Sequence, residues 1–177
     1  MDRQYSPSRA TKVRGLRGRT LYVVDLENMA CTCEPSAGDV ARIRTRIHAA
    51  VEPGHGDHTV IAVSHHNAPA AYFGWTGSAQ RLARSGKDGA DTALLEVIED
   101  ILWVAAHYDQ VVLASGDHAF AYAVAALKAA GIRVVVISPD RGFSEQMRLA
   151  AGRDLVRLGP SIPSNVIALF TETKDAV

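Results

Sequence analysis

Four continuous apolar runs divide this chain, and each has the length of a β-strand. They are rich in β-branched residues and lack regular polar alternation, which is typical of strands covered on both faces. They are LYVVD at Leu21–Asp25, TVIAVS at Thr59–Ser64, VVLAS at Val111–Ser115 and RVVVIS at Arg133–Ser138. Two weaker segments, Ala79–Arg84 and Asp154–Leu158, are predicted to be an exposed third strand and the last strand.

The segment between the first two strands has the spacing of an amphipathic helix. Asp39 is expected to cap this helix, whose apolar side is formed by Val40, Ile43, Ile47 and Val51. The preceding residues, 27–38, are interpreted as a loop because they contain Pro, Ser and Gly. Residues 70–78 have no pattern that assigns them.

Three further helices are predicted in the second half of the chain. A long one runs from GKDGAD to about His107, with Trp103 in the core. A turn and helix follow over residues 116–131, where Gly131 has the C-terminal cap position, and a short helix covers residues 144–151. Strands that alternate with helices predict right-handed βαβ units. The expected fold is therefore α/β, a three-layer sandwich with a central, mostly parallel sheet.

The charge is unevenly distributed, although the 177 residues have a formal net charge of zero. Residues 1–19 carry six basic side chains and one acidic one, which leaves 13 basic and 18 acidic residues in the rest of the chain. We predict a basic, disordered tail over 1–19, a domain over 20–160 and a C-terminal tail over 161–177. The basic tail either contacts a polyanion or is a solvated leader.

Targeting signals and cysteines bear on the location of the protein. No apolar run approaches the roughly 20 residues of a membrane span, and the basic leader lacks the apolar region of a secretory signal. Cys31 and Cys33 are too close in sequence for an easy disulfide and too few for a structural zinc site. Two free thiols fit a reducing compartment, so a cytoplasmic location is expected. The apolar helices are compatible with a homodimer.

Carboxylates at the ends of strands indicate where chemistry could occur. Asp25 ends the first strand, Asp117 follows Ser115 at the end of the VVLAS strand, and Asp91 lies in the first turn of the long helix. In open α/β sheets the working crevice lies beyond the carboxyl ends of the strands. Three carboxylates there would repel one another unless a hard cation such as Mg²⁺ or Mn²⁺ joined them. Such a site can hydrolyse phosphodiesters.

Each aspartate also has a purely structural interpretation. Asp25 could close a strand, Asp91 could interact with a helix dipole, and Asp117 could shape a turn. Their coincidence at one predicted edge of the sheet favours the functional interpretation.

Several motifs, in order, resemble those of the NYN domain, a member of the PIN-like ribonuclease superfamily. They are VVDLEN, KDGADTALLEVIED, VVLASGDHAF, LKAAGIRVVVIS and EQMRLAAGRDLVRL, and they span roughly Leu21 to Leu158. The resemblance implies a PIN-like, Rossmann-like fold and a divalent-metal ribonuclease site. It makes Asp25, Asp91 and Asp117 the metal carboxylates. It also implies that Asn28 orients a ligand or water and that Ser115 supports Asp117.

The chain departs from the family pattern at two places. Ala119 occupies the position of the second aspartate in the family's S-G-D-x-D-F signature. The spacing from Lys87 to Asp91 is one residue longer than usual, and Asp88 fills the additional place. Asp88 could therefore replace the missing carboxylate, or it could face solvent.

Other side chains are candidates for contact with RNA. We assign His65, Lys87 and His118 to substrate binding, with Ser115, because they lie near the predicted crevice. Each of the histidines could also be an ordinary loop or cap residue. A cluster of aromatic residues could stack bases if exposed or belong to the core if buried. It consists of Tyr72, Phe73 and Trp75.

The sequence is compatible with three functions. The leading hypothesis is a metal-dependent ribonuclease that cleaves RNA at the aspartate cluster. The alternative is a non-catalytic RNA-binding or regulatory module with a degenerate acidic pocket, which Ala119 favours. A different phosphoryl-transfer enzyme is the third, but the chain contains neither a G-x-G-x-x-G fingerprint nor a G-x-x-x-x-G-K-[ST] loop.

Overall fold

A central sheet of six parallel strands organises the structure, a computed structural model that describes residues 18–159. The strands are β1 Thr20–Asp25, β2 His58–Val63, β3 Gln80–Ala83, β4 Gln110–Ala114, β5 Arg133–Pro139 and β6 Leu155–Leu158. Their order is β3-β2-β1-β4-β5-β6, the order of the Rossmann fold. The prediction of an α/β fold with a mostly parallel sheet is confirmed.

Seven α-helices connect the strands within the described residues. They are α1 Leu26–Ala30, α2 Ala37–Ala50, α3 Ala68–Gly74, α4 Gly89–Ile98, α5 Ile101–His107, α6 Ala121–Ala129 and α7 Glu145–Ala151. Short 3₁₀-helices at His65–Asn67 and His118–Phe120 follow β2 and β4. All the predicted strands are present, and none of their ends differs from the prediction by more than one residue.

Helices cover both faces of the sheet, and this explains why the strands are apolar throughout. On β1, Leu21 and Val23 face a core shared with α4, α6 and α7, whereas Tyr22 and Val24 face a second core shared with α1, α2 and α3. Side chains of successive strand residues point to opposite faces. A strand between two layers of helices therefore has no polar face.

Two helix boundaries differ from the prediction. Ser36, rather than Asp39, is the N-cap of α2, and Asp39 completes a capping box by accepting a hydrogen bond from the Ser36 backbone N–H at 2.9 Å. The predicted long helix is two helices, because Asp100 accepts a hydrogen bond from the Trp103 N–H at 2.9 Å and caps α5. Trp103 is 48% exposed, so its assignment to the core was wrong.

Two segments contain helices that the pattern did not predict. The interpreted loop at 27–38 contains most of α1, and the unassigned segment at 70–78 overlaps α3. Trp75 is buried at the end of α3, whereas Tyr72 and Phe73 are exposed. Gly131 has a φ of 86°, the left-handed conformation that ends a helix, so its predicted position after α6 is confirmed.

The predicted tails lie almost entirely outside the described residues. Within residues 18–159, no helix is both long and apolar enough to cross a membrane.

Gly74 allows α3 to pack closely against α2, and this contact gives a test of the packing. A Cβ atom at Gly74 would lie 2.4 Å from the Ala37 carbonyl oxygen and 2.6 Å from the Val40 Cβ. We expect Gly74→Ala to destabilise the fold by about 1–3 kcal/mol because the two helices must separate. Urea unfolding of the purified protein measures this change.

Gly38, on the first turn of α2, is the matched control. A Cβ atom there would have no neighbour closer than 3.5 Å, so Gly38→Ala should leave stability unchanged or raise it by about 0.5 kcal/mol. Equal stabilities for Gly74→Ala and Gly38→Ala would contradict the described packing of the two helices.

Candidate active site

The order of the strands creates a crevice between β1 and β4. The chain moves outward from β1 to β2 and β3 and then returns to the other side of β1 with β4. Ligands of open α/β sheets bind at such a switch point, outside the carboxyl ends of the strands. Val24 of β1 pairs with Ala114 of β4. The next residues, Asp25 and Ser115, therefore lie side by side at this edge of the sheet.

Asp25 is the last residue of β1 and also the N-cap of α1. Its carboxylate accepts hydrogen bonds from the Asn28 N–H at 3.0 Å and from the Ser115 hydroxyl at 3.1 Å. Only 3% of the residue is exposed. The strand and helix thus hold a nearly buried carboxylate at the floor of the crevice.

Asn28 and Ser115 position the loop that follows β4. The Asn28 side-chain oxygen accepts the Gly116 N–H at 2.8 Å, and the Ser115 hydroxyl accepts the Asp117 N–H at 3.2 Å. Ser115 therefore contacts the Asp117 backbone and the Asp25 carboxylate at the same time. These bonds fix the loop that carries Asp117 relative to the end of β1.

A pocket of about 220 Å³ brings the three predicted aspartates together. Asp25 comes from β1, Asp91 from the first turn of α4, and Asp117 from the loop after β4. The full lining is Asp25, Glu27, Asn28, Ser64, Gly86, Asp88, Gly89, Ala90, Asp91 and Asp117. Five of these residues are acidic.

Glu27 is a member of the pocket that the sequence analysis missed. Its carboxylate accepts hydrogen bonds from the Ser64 N–H at 2.8 Å and from the Asn67 side-chain amide at 2.6 Å, and it also accepts the Ser64 hydroxyl. Burial acts to raise the pKa of Glu27, but these hydrogen bonds outweigh it and hold the pKa below its usual range. The only signal in the sequence was an acidic residue two positions after a strand-terminal aspartate.

Asp88 also lines the pocket. It precedes α4 with a left-handed φ of 56°, a conformation that aspartate tolerates better than most residues, and its side chain makes no capping hydrogen bond. Asp88 is exposed and also lines the pocket, so both alternatives for its role stay open.

Burial, together with the crowding of negative charge, raises the pKa of two aspartates. Burial is the main reason that the pKa of Asp25 rises to about 7; the Asn28 hydrogen bond opposes this rise, and the charge of Asp91 adds to it. Burial also raises the pKa of Asp91, followed by the charge of Asp117. The folded protein therefore disfavours full ionisation of the cluster, and a bound cation would relieve that cost.

The donor set fits Mg²⁺ or Mn²⁺, because all the acidic groups are hard oxygen ligands. No three histidine, cysteine or acidic side chains of residues 18–159 are already close enough to enclose an ion. Mg²⁺ usually retains waters and is held by one or two carboxylates together with substrate phosphate. A one-sided set of carboxylates at the wall of a pocket suits that mode of binding.

Four side chains were predicted to bind substrate, and none of them lines the pocket: His65, Lys87 and His118 lie around it, and Ser115 is fully buried. The His118 ring contacts the Asp117 carboxylate at 3.0 Å, and 70% of its side chain is exposed. His65, in the 3₁₀-helix after β2, contacts the Ser85 hydroxyl at 2.7 Å. Lys87 is exposed and lies in sequence between two residues that line the pocket. Ala119 donates its N–H to Asp117 at 2.8 Å.

Comparisons with known proteins give one matching domain family and a similar solved structure. The sequence model of the NYN domain matches residues 20–156. A solved structure of a protein of unknown function from Vibrio parahaemolyticus is similar, with a TM-score of 0.53 and 17% sequence identity, over 81% of this chain and 93% of that one. At this identity the likeness shows the fold alone. No curated protein matches the chain.

The raised pKa of Asp25 predicts that this carboxylate destabilises the metal-free protein above neutral pH. Between its ordinary value of 3.8 and about 7, the unfolded chain ionises while the folded protein keeps the proton, so stability falls as pH rises through this range. We expect Asp25→Asn to be more stable than the native protein by on the order of 1–3 kcal/mol at pH 8 in EDTA, and by less at pH 5.

Chemical unfolding at the two pH values, with each protein in the same buffers, measures the difference. Saturating Mn²⁺ should then raise the stability of the native protein more than that of Asp25→Asn. An Asp25→Asn variant that is less stable at pH 8 than at pH 5, relative to the native protein, would contradict the assignment.

Proposed function

The chain belongs to the NYN domain family, as its motifs predicted, and from this membership and the acidic pocket we propose that it is a divalent-metal-dependent ribonuclease. Family membership implies a PIN-like nuclease fold. The finer claims of metal dependence, RNA as substrate and phosphodiester hydrolysis rest on the residues of the pocket.

The convergence of Asp25, Asp91 and Asp117 at the switch point is the observation that carries the proposal. Carboxylates that stabilise a fold usually have lowered pKa values, because they pair with cations or accept hydrogen bonds. Here the pKa values of two of the three rise. Strongly perturbed groups that share a cleft are typical of functional sites.

In the proposed site, Asp25, Asp91 and Asp117 hold Mg²⁺ or Mn²⁺. A bound divalent ion would polarise the scissile phosphate and lower the pKa of a coordinated water. Asn28 positions Asp117 through the Gly116 loop. Glu27, whose low pKa keeps it ionised at neutral pH, adds to the negative potential that attracts the cation.

The surrounding cationic and polar groups would hold the RNA. His118 and His65 lie exposed near the rim of the pocket, and Lys87 is flanked by two of its lining residues. Asp88, which lines the pocket directly before α4, supplies the carboxylate that Ala119 does not. Cys31 and Cys33 are both free and exposed, which accords with the cytoplasmic location that we propose.

A non-catalytic RNA-binding or regulatory module is the second candidate, and Ala119 is the observation that favours it. Such a module would retain the fold and a weakened acidic pocket. It would bind RNA with an affinity that falls as salt rises, because bound counterions are released. Deletion of residues 1–19 should weaken that binding if the basic tail contacts RNA.

Asp117→Asn tests the proposed activity. With labelled single-stranded RNA and Mn²⁺, we expect the rate of cleavage to fall at least about 100-fold, because the variant lacks one carboxylate ligand of the ion. EDTA should abolish cleavage by the native protein. Circular dichroism of the variant checks that the fold is intact.

Asp100→Asn is the matched control. Asp100 lies beyond the far end of α4 from Asp91, and asparagine can keep its capping hydrogen bond to Trp103. This variant should retain full activity. A fully active Asp117→Asn protein would refute the ribonuclease proposal, whereas RNA binding without cleavage at any Mn²⁺ concentration would favour the binding module.

A further inference from the structure

A second cavity, of about 480 Å³, lies at the same edge of the sheet as the acidic pocket. It is bounded by the end of α1, by α2 from Asp39 to Arg46, and by the ends of β5 and β6. Its volume is within the range of small-molecule and cofactor sites. Unlike the acidic pocket, it contains cationic side chains.

Three arginines line this cavity. Arg42 and Arg46 are four residues apart on α2 and so lie on one side of that helix, and Arg141 lies in the loop after β5. A guanidinium group presents several N–H donors in a planar fork that matches the oxygens of a phosphate.

Each acidic residue of the cavity pairs with an arginine, and for Asp39 that arginine is Arg42, which also lines the cavity. Asp39 accepts hydrogen bonds from the backbone and hydroxyl of Ser36, as well as one from Arg42. Asp140 pairs with Arg157, at 3.3 Å, and Arg157 is not among the lining residues. The lining has three arginines and two aspartates, and Asp140 pairs with an arginine outside the lining, so the cavity retains an excess of positive charge that suits an anionic ligand.

The floor of the cavity is apolar. Met29, Ile43 and Leu158 contribute side chains from three different elements. A flat aromatic ring can pack on such a surface, and methionine sulfur makes favourable contacts with aromatic rings. The apolar floor and the cationic rim together match the two parts of a nucleotide, its base and its phosphate.

Helix α1 separates the cavity from the acidic pocket. Asn28 lines the acidic pocket, whereas Met29, Ala30 and Cys31 line the cavity. Residues that follow one another in α1 thus line the two sites. A strand of RNA with one phosphate at the aspartates could therefore extend past this short helix to the cavity.

We propose that this cavity binds one nucleotide of the RNA strand adjacent to the phosphodiester at the acidic pocket. The base packs on Met29, Ile43 and Leu158, and the phosphate contacts Arg42 and Arg141. The inference rests on the proposed function for its substrate class, but it concerns binding and can be tested without cleavage.

The test uses the full chain with Asp117→Asn, so that RNA is bound and not cut. Fluorescence anisotropy of a short, fluorescein-labelled, single-stranded oligoadenylate in Mg²⁺ gives the dissociation constant. We expect Arg141→Gln and Arg42→Gln each to raise Kd roughly 5- to 10-fold. Each should also reduce the slope of log Kd against log salt by about 0.7 for every phosphate that the variant no longer neutralises. Arg148→Gln, on the exposed face of α7, removes the same charge outside the cavity and should change Kd less than about 2-fold.

Cys31 provides a second measurement at the cavity. In a Cys33→Ser background, bound RNA should slow alkylation of Cys31 by iodoacetamide, since Cys31 is exposed and lines the cavity. A change in Kd with Arg148→Gln equal to that with Arg141→Gln, or an unchanged rate of Cys31 alkylation, would overturn the proposal.

The outcomes separate this proposal from the ribonuclease proposal. If the native protein cleaves RNA but its binding is insensitive to Arg42 and Arg141, the cavity assignment fails alone. If RNA binding depends on the arginines but no cleavage occurs, the ribonuclease proposal fails and the cavity assignment stands. In an active native background, Arg141→Gln should raise KM with little change in kcat.

Discussion

The burial of the Asp25 carboxylate at the end of β1 is the constraint on which the rest of the site depends. The residue is 3% exposed and has hydrogen bonds to Asn28 and Ser115, yet its pKa is raised to about 7. The two hydrogen bonds act to lower the pKa of Asp25. They do not offset the loss of water and the charge of Asp91, which both raise it. The two apolar cores on either side of the sheet provide the stability that allows such a group to persist.

The same constraint links the elements around the crevice. Asp25 starts α1, and α1 carries Asn28, which holds the loop of Asp117. Glu27 on the same helix binds Ser64 at the end of β2. One short helix after β1 thus joins the carboxyl ends of β1, β2 and β4. On its other side, α1 forms a wall of the arginine-lined cavity, so a single element separates the proposed catalytic and nucleotide-binding sites.

The strands and the aspartates at their ends could be predicted because both follow from local pattern. A strand buried on two faces needs a continuous apolar run, and a parallel sheet places the residues after such runs at one edge. The break between α4 and α5 was missed because the apolar stripe continues from Ile98 to Ile101 across the Asp100 cap. The cap of α2 was misplaced by three residues because Ser36 and Asp39 are both good capping residues.

Glu27 and the arginine-lined cavity could not be predicted, because each depends on residues that are distant in sequence and close in space. Glu27 joins the pocket because Ser64 and Asn67 follow a neighbouring strand, and the sequence does not state which strands are neighbours. The arginine-lined cavity combines α2 with loops more than ninety residues later in the chain. Arg42 and Arg46 share one side of α2, but the sequence does not show that the loop with Arg141 packs near that side.

The central claim is that the aspartate cluster is a divalent-metal site, and anomalous diffraction from crystals grown with Mn²⁺ tests it most directly. We expect an anomalous peak about 2.0–2.2 Å from carboxylate oxygens of Asp25, Asp91 or Asp117, with the remaining ligands supplied by water. A structure at saturating Mn²⁺ that shows no peak at these aspartates would contradict it.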